Sequence, residues 1–228
     1  MLQNLWRFSR NMNKEAIIVS GGTLNESFVL SVLEKKNERF LIAVDKGLLF
    51  LHEHEICPDY IVGDFDSVPQ DVISLYKEQR MIPIREFNPV KDATDTEIAI
   101  RLAIEFGCQK ISILGGTGTR LDHVWGNVQS LKIAADAGVE AYLLDSHNRI
   151  RLLKEGIELR KEDSFGTYFS VFPLGETVYG FNIKGAKYPL VDHTLTPYDS
   201  LCVSNEFKEE KVTISFPKGY VILMETGD

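Results

Sequence analysis

The chain has 228 residues, 44% hydrophobic and 25% charged, with a formal net charge of -8. That length and composition suit one large or two modest globular domains with a sizeable core. The acidic balance argues against broad nucleic-acid or anionic-membrane binding, which needs a basic surface, and no stretch reaches the length of a membrane-spanning helix.

Residues 1–13, within MLQNLWRFSRNMNKE, lack the continuous apolar run of a signal peptide and are expected to form a flexible leader. AIIVSGG (16–22) is a β-branched run ending in glycines, as in a buried strand and its exit turn. A helix is expected from Asn25 to Lys36. FLIAVD (40–45), YIVGD (60–64) and MIPIRE (81–86) read as further strands. DATDTEIAIRLAIEFG (92–107) reads as a helix: Thr94 and Glu97 have capping-box spacing, Ile98, Leu102 and Phe106 share a face, and Gly107 follows the last turn. KISILGG (110–116) is a strand running into glycines. Asp122 can cap a helix through Ala137, and VEAYLLD (139–145) closes the series. Strands alternating with helices indicate a mostly parallel sheet covered on both faces.

After residue 148 the period changes. IRLLKEG, IELRKED, TYFSVFPLG, TVYGFNIKGAKYPL, SLCVSNEF, KVTISFPKG and YVILMET are short alternating runs punctuated by Gly, Pro, Asp and Asn. That is the pattern of an antiparallel all-β sandwich. We therefore expect an α/β domain over 14–147 and a β-sandwich domain over 148–228. The three cysteines, Cys57, Cys108 and Cys202, are widely spaced. They form neither a disulfide framework nor a CxxC metal site, and are expected to be reduced thiols in a cytoplasmic protein.

In open parallel sheets, ligands bind beyond the carboxyl ends of strands. The polar residues of the α/β domain collect there: Asp45 after FLIAV, Asp64 and Asp66 after YIV, Asp92 and Asp95 before a helix, and GGTGTRLDH (115–123) after KISIL. Either Asp64 and Asp66 share a hard cation such as Mg²⁺, which takes carboxylate, phosphate and water oxygens, or Asp66 or Ser67 caps a turn before Pro69. Asp95 either joins them or simply complements a helix macrodipole. GGTGTR is either a phosphate cradle, with Arg120 as an anion fork, or a tight turn; it lacks the GK[ST] of a Walker loop. His123 either meets a phosphate or pairs with Asp122. No nucleophile motif is present, which disfavours covalent catalysis. In the β domain, Tyr188 of GAKYPL could stack on a ring and Ser204 and Asn205 could hydrogen-bond one, or these segments are plain hairpin turns.

Taken together, VDKG (44–47), VGDFDS (62–67), DATDTEIAI (92–100), GGTGTRLDHVWGN (115–127), GAKYPL and SNE (204–206) resemble, in order, the motifs of the thiamine pyrophosphokinase family. The resemblance implies an α/β nucleotide domain followed by a β-sandwich. It implies transfer of pyrophosphate from ATP to the thiamine hydroxyl, giving thiamine diphosphate and AMP. It also implies a homodimer with thiamine bound between subunits. Asp64, Asp66 and Asp95 would organise Mg²⁺ and, with Asp122, carry the catalytic chemistry. Asp45, Thr94, Gly116, Arg120 and His123 would surround the nucleotide, and Ser204, Asn205 and Tyr188 would meet thiamine. Some eukaryotic members stack a C-terminal tryptophan on thiamine; this chain reads GYVILMET there, leaving Tyr220, Tyr188 or packing on aliphatic groups in its place. Two other readings compete: a pyrophosphokinase for another heterocyclic alcohol such as a hydroxymethyl-pterin, and a non-catalytic nucleotide- or thiamine-binding protein.

Overall fold

The computed structural model describes residues 15–34, 39–79, 82–86 and 93–228. The leader at 1–13 and Asp92 lie outside the described residues. The chain divides into two compact units, Met1–Asp145 and Ser146–Asp228.

In the first unit, strands β1 (Glu15–Val19), β2 (Arg39–Val44), β3 (Tyr60–Gly63), β4 (Ile84–Glu86), β5 (Lys110–Leu114) and β6 (Glu140–Leu144) pair in the order β4-β3-β2-β1-β5-β6. Every pairing is parallel. The helices are α1 (Glu26–Glu34), α2 (Gly47–Glu53), α3 (Gln70–Ser74), α4 (Asp95–Glu105) and α5 (Leu121–Asp136). Ile17, Val19, Leu41, Ala43 and Ile61 point from the sheet into one core with Val29 and Leu33 of α1, Leu48 and Leu51 of α2, and Val72 and Ile73 of α3. α4 packs on β1, β2 and β3, and α5 packs on β6 and α4. Strands covered on both faces read as continuous apolar runs, and β1 and β2 are buried along nearly their whole length. Burying one such Ile or Leu side chain contributes about 1.5–3 kcal/mol.

The sheet order matters for the site. From β1 the chain builds outward through β2, β3 and β4, then returns to place β5 on the other side of β1. The gap beyond the carboxyl ends of β1 and β5 is therefore a topological switch point, where open α/β sheets hold ligands.

The second unit is a sandwich of antiparallel strands. β7 (Asn148–Leu153), β13 (Val221–Thr226) and β9 (Tyr168–Pro173) form one sheet, in the order β7-β13-β9. β11 (Leu190–Leu195), β10 (Val178–Lys184), β12 (Lys211–Ser215) and β8 (Ile157–Arg160) form the other. Phe169, Val171, Val221 and Leu223 of the first meet Phe181, Ile183, Val212 and Ile214 of the second in one core. Glu225, buried in this unit, is met by the guanidinium of Arg149 at 2.6 and 2.8 Å, so its charge is both paired and hydrogen-bonded.

Several local expectations are corrected. The run 81–86 shortens to a strand over Ile84–Glu86. Asp122 does not cap α5: the helix starts at Leu121, and the Asp122 carboxylate is engaged by Arg120. SLCVSNEF is not a strand: Leu201 N–H folds back onto Asp199 Oδ1 at 2.8 Å, and only the isolated bridges of Asn205 with Phe169 and of Phe207 with Ala186 form there. The neighbouring strand is instead LVDHTL, of which the alternating runs take in Leu190 alone.

Candidate active site

Two exit loops are zipped together at the switch point. Beyond β1 and β5, Ser20 N–H donates to Leu114 O (2.8 Å), Gly22 N–H to Gly115 O (2.9 Å) and Thr23 N–H to Thr117 O (2.9 Å). Gly22 is required by this approach: a Cβ there would lie 2.3 Å from Thr117 O and 2.4 Å from Gly115 O. From beneath, Asn127 of α5 donates through Nδ2 to Gly116 O at 2.7 Å. The backbone of GGTGT is thus held on both sides, while Thr117 and Gly118 stay half-buried and Thr119 is exposed. That is a rigid rim that could receive phosphate oxygens beside the start of α5.

Ser20 also reaches the start of α4. Its hydroxyl lies 3.0 Å from the Thr96 hydroxyl, with both residues buried. Thr94 caps α4 as expected, its hydroxyl accepting from Glu97 N–H at 3.2 Å. Asp95, the first residue of α4, is thereby anchored next to the β1 exit. Sequence reasoning missed Ser20, Gly22, Thr23, Thr96 and Asn127. The glycine pair after β1 was the only local signal, since the others act through long-range contacts.

At the β2 and β3 exits, Asp45 and Phe65 both have positive φ (46° and 58°). Such conformations cost of order 1–3 kcal/mol each in non-glycine residues and persist only where the surroundings hold them. Here Asp45 N–H donates to Val62 O (3.2 Å), and Phe65 is buried in the α1–α3 core. Gly63 makes room for the acid: a Cβ on it would fall 2.2 Å from Asp45 Oδ1. Asp45 is therefore packed against the base of the Asp64–Asp66 loop.

The cap in this loop is Asp64, not Asp66 or Ser67. Asp66 N–H donates to Asp64 Oδ1 at 3.2 Å. This uses one oxygen of one carboxylate, so most acceptor positions of the pair remain for a cation. Half-buried Asp64 and exposed Asp66 supply the hard oxygen donors that suit Mg²⁺ in company with phosphates and water. Asp95 does not complete a triplet: among the described residues no group of three His, Cys, Asp or Glu side chains is gathered for a metal ion.

Arg120 and Asp122 form a fork, with Nη2–Oδ2 at 2.6 Å and Nε–Oδ1 at 3.3 Å, both side chains well exposed. The hydrogen bond from Arg120 holds the Asp122 carboxyl below its usual range, and the same bond raises the guanidinium of Arg120. Any anion that recruits Arg120 must compete with Asp122. His123 is exposed beside them.

In the second unit, Tyr188, Ser204 and Asn205 come together. Asn205 Oδ1 accepts from Tyr188 N–H (3.0 Å), and Asn205 Nδ2 donates to Tyr188 O (2.8 Å). Ser204 N–H donates to the hydroxyl of buried Ser170 at 3.0 Å. Lys187 pairs with Glu206 at 2.5 Å and lies 5.5 Å from the Tyr188 ring centroid. Tyr220 is half-buried.

Comparison with known proteins covers both units. A family model described as "Thiamin pyrophosphokinase, catalytic domain" matches residues 33–143, and one described as "Thiamin pyrophosphokinase, vitamin B1 binding domain" matches 154–221. Thiamine pyrophosphokinase of Bacillus subtilis (strain 168) is 32% identical over 217 residues, spanning 92% of this chain and 98% of that protein. The crystal structure of thiamin pyrophosphokinase from Geobacillus thermodenitrificans has a TM-score of 0.80 at 32% identity, covering 94% of this chain and 98% of that one. Thiamin pyrophosphokinase from Candida albicans shares the fold, with a TM-score of 0.75 at 18% identity over 94% of this chain and 89% of its own.

Proposed function

The chain belongs to the thiamine pyrophosphokinase family, and from that premise we propose that it transfers pyrophosphate from ATP to the hydroxyl of thiamine, giving thiamine diphosphate and AMP. The observation that carries this reading is the match of both family domains, in order, to one chain whose relative aligns across nearly its full length.

The residues suit the chemistry. The thiamine oxygen attacks the β-phosphorus, the bond from that phosphorus to the α–β bridging oxygen breaks, and AMP leaves with that oxygen. Such transfers depend on in-line positioning and charge stabilisation more than on covalent catalysis. The zipped rim at Gly115–Thr119, including Gly116, would receive phosphate oxygens, with Asp45, Thr94 and His123 around the nucleotide. Arg120 would exchange Asp122 for phosphate, leaving Asp122 to steer it. Asp64 and Asp66, assisted by Asp95, would hold Mg²⁺, which neutralises charge on the polyphosphate when bound. One of these three carboxylates would take the proton from the thiamine hydroxyl. Thiamine would lie against Tyr188 and Ser204. The working form would be a cytoplasmic homodimer with thiamine at the subunit interface. Among the described residues, no helix is long and apolar enough to cross a membrane.

The test is product identification after incubating the purified protein with ATP, Mg²⁺ and thiamine. AMP and thiamine diphosphate are expected. ADP with thiamine monophosphate, or no turnover with thiamine but turnover with a hydroxymethyl-pterin, would overturn the reading.

A further inference from the structure

We propose that Asn205 does not touch thiamine but acts as a positioning residue, fastening Tyr188 and Ser204 to strand β9 as one preformed platform; this rests on the thiamine-binding role proposed above. The side chain of Asn205 is spoken for. Only 3% of the residue is exposed. Its Oδ1 accepts two backbone N–H groups, from Tyr188 at 3.0 Å and Glu206 at 2.9 Å, which fills both lone pairs. Its Nδ2 donates to Tyr188 O at 2.8 Å. The amide therefore grips both backbone polar groups of Tyr188, as a neighbouring strand would. What remains is one N–H on a buried group, a poor recognition element for a ring arriving from solvent.

The groups that are presented are Tyr188, which its side chain holds, and Ser204, its neighbour in sequence. Tyr188 is 58% exposed although its backbone is fixed at both ends. Ser204 is exposed in a left-handed conformation, its N–H held by Ser170 of β9. Asn205 itself is tied to β9 twice, by Asn205 N–H to Phe169 O and Phe169 N–H to Asn205 O, both at 2.9 Å. Phe169 is buried in the sandwich core. A chain of contacts thus runs from the core through β9 to Ser204 and Asn205, and from Asn205 to Tyr188. Lys187, paired with Glu206, sets its ammonium over the Tyr188 ring. A platform already ordered before the ligand arrives loses less conformational entropy on binding. An exposed aromatic ring and an exposed serine on fixed backbone suit a flat heterocycle with a polar edge.

A double-mutant cycle on the full-length protein tests this. Tyr188→Ala and Asn205→Ala should each raise the KM for thiamine about tenfold, with the KM for ATP unchanged. If Asn205 acts through Tyr188, the double variant should resemble Tyr188→Ala alone. A double effect equal to the product of the single effects would mean direct contact and overturn the proposal, as would an unchanged thiamine KM in Asn205→Ala. Should Asn205→Ala fail to fold, the cycle is run with Ser170→Ala and Ser204→Ala, where the same non-additivity is expected and Ser170→Thr should restore wild-type KM. Absence of thiamine diphosphate from the wild-type protein would instead defeat the functional reading, which separates the two failures.

Discussion

The two candidate ligand regions are built from different materials. At the edge of the parallel sheet, backbone meets backbone: the exits of β1 and β5 are hydrogen-bonded to each other, and Gly22 sits where a Cβ would collide with two carbonyl oxygens. In the sandwich, one side-chain amide and one serine hydroxyl are added to the backbone bonds between Asn205 and Phe169, and the amide alone grips Tyr188 at both its backbone groups. A backbone-built site withstands loss of side chains but not the addition of a methyl group. An amide-built site fails when a single side chain is cut, and fails locally. The contrast suits the proposed division of labour, since a polyphosphate is met by N–H groups and carboxylates while a flat ring is met by a shaped surface.

The largest expected effect comes from removing charge without disturbing the loop. Asp64→Asn retains an Oδ1 to accept from Asp66 N–H, so the turn survives while a negative charge is lost. We expect kcat to fall by about 100-fold or more with the thiamine KM little changed. Unchanged turnover would reduce Asp64 to a turn residue, and a selective rise in thiamine KM would break the division between the regions.

Next is Gly22→Ala. Its Cβ would sit against two carbonyl oxygens of the partner loop, neither of which is the end of a flexible side chain. A loss of about 1–3 kcal/mol is expected in urea unfolding, together with a raised ATP KM. Thr23→Ala, which keeps the N–H bonded to Thr117 O, should change either quantity far less. Equal effects from the two substitutions would argue against a backbone-built site.

A smaller effect sharpens the picture of the sandwich. Burial and the neighbouring charge of Asp199 push the Cys202 thiol up to about 11, whereas Cys57 is exposed. At pH 8 roughly one Cys202 in a thousand is then a thiolate. Iodoacetamide followed by mass spectrometry should label Cys57 well before Cys202 in the native protein. Comparable labelling would show that the 196–204 loop opens readily. The sign with pH also follows: a thiol raised in the folded state loses protons later than in the unfolded chain, so stability falls as pH rises above the ordinary value of 9.0 towards about 11.

The smallest effect is a null. Arg120 holds Asp122 below its ordinary carboxyl value of 3.8, so their pairing is complete above that value and is lost only as pH falls through the lowered one. This pair should add no pH dependence to the ATP KM between about pH 5 and 8. A step there that disappears in Asp122→Asn would contradict the assignment.

The parts legible in the sequence are those governed by local rules. The buried runs at 16–19 and 40–44, the Thr94 cap and the left-handed Gly107 after α4 each depend on residues within one turn or one strand. The carboxylates at strand exits were legible because topology alone places them. What escaped was set by distant partners. Ser20 matters through Thr96, and Gly22 through Gly115 and Thr117. For Asn205, residue type does not reveal that Tyr188, 17 positions away, uses both ends of its amide. Val191 to Leu195 and Leu201 to Phe207 have similar β character. The Asp199 turn, not visible as propensity, is what separates strand from loop.

The most direct test of the central claim follows the label. The protein is incubated with thiamine, Mg²⁺ and ATP carrying ³²P at the α, β or γ position in three separate reactions. The account predicts that β and γ labels both pass to the thiamine product while α label stays in AMP. Transfer of γ label alone, with β label retained in ADP, would contradict it.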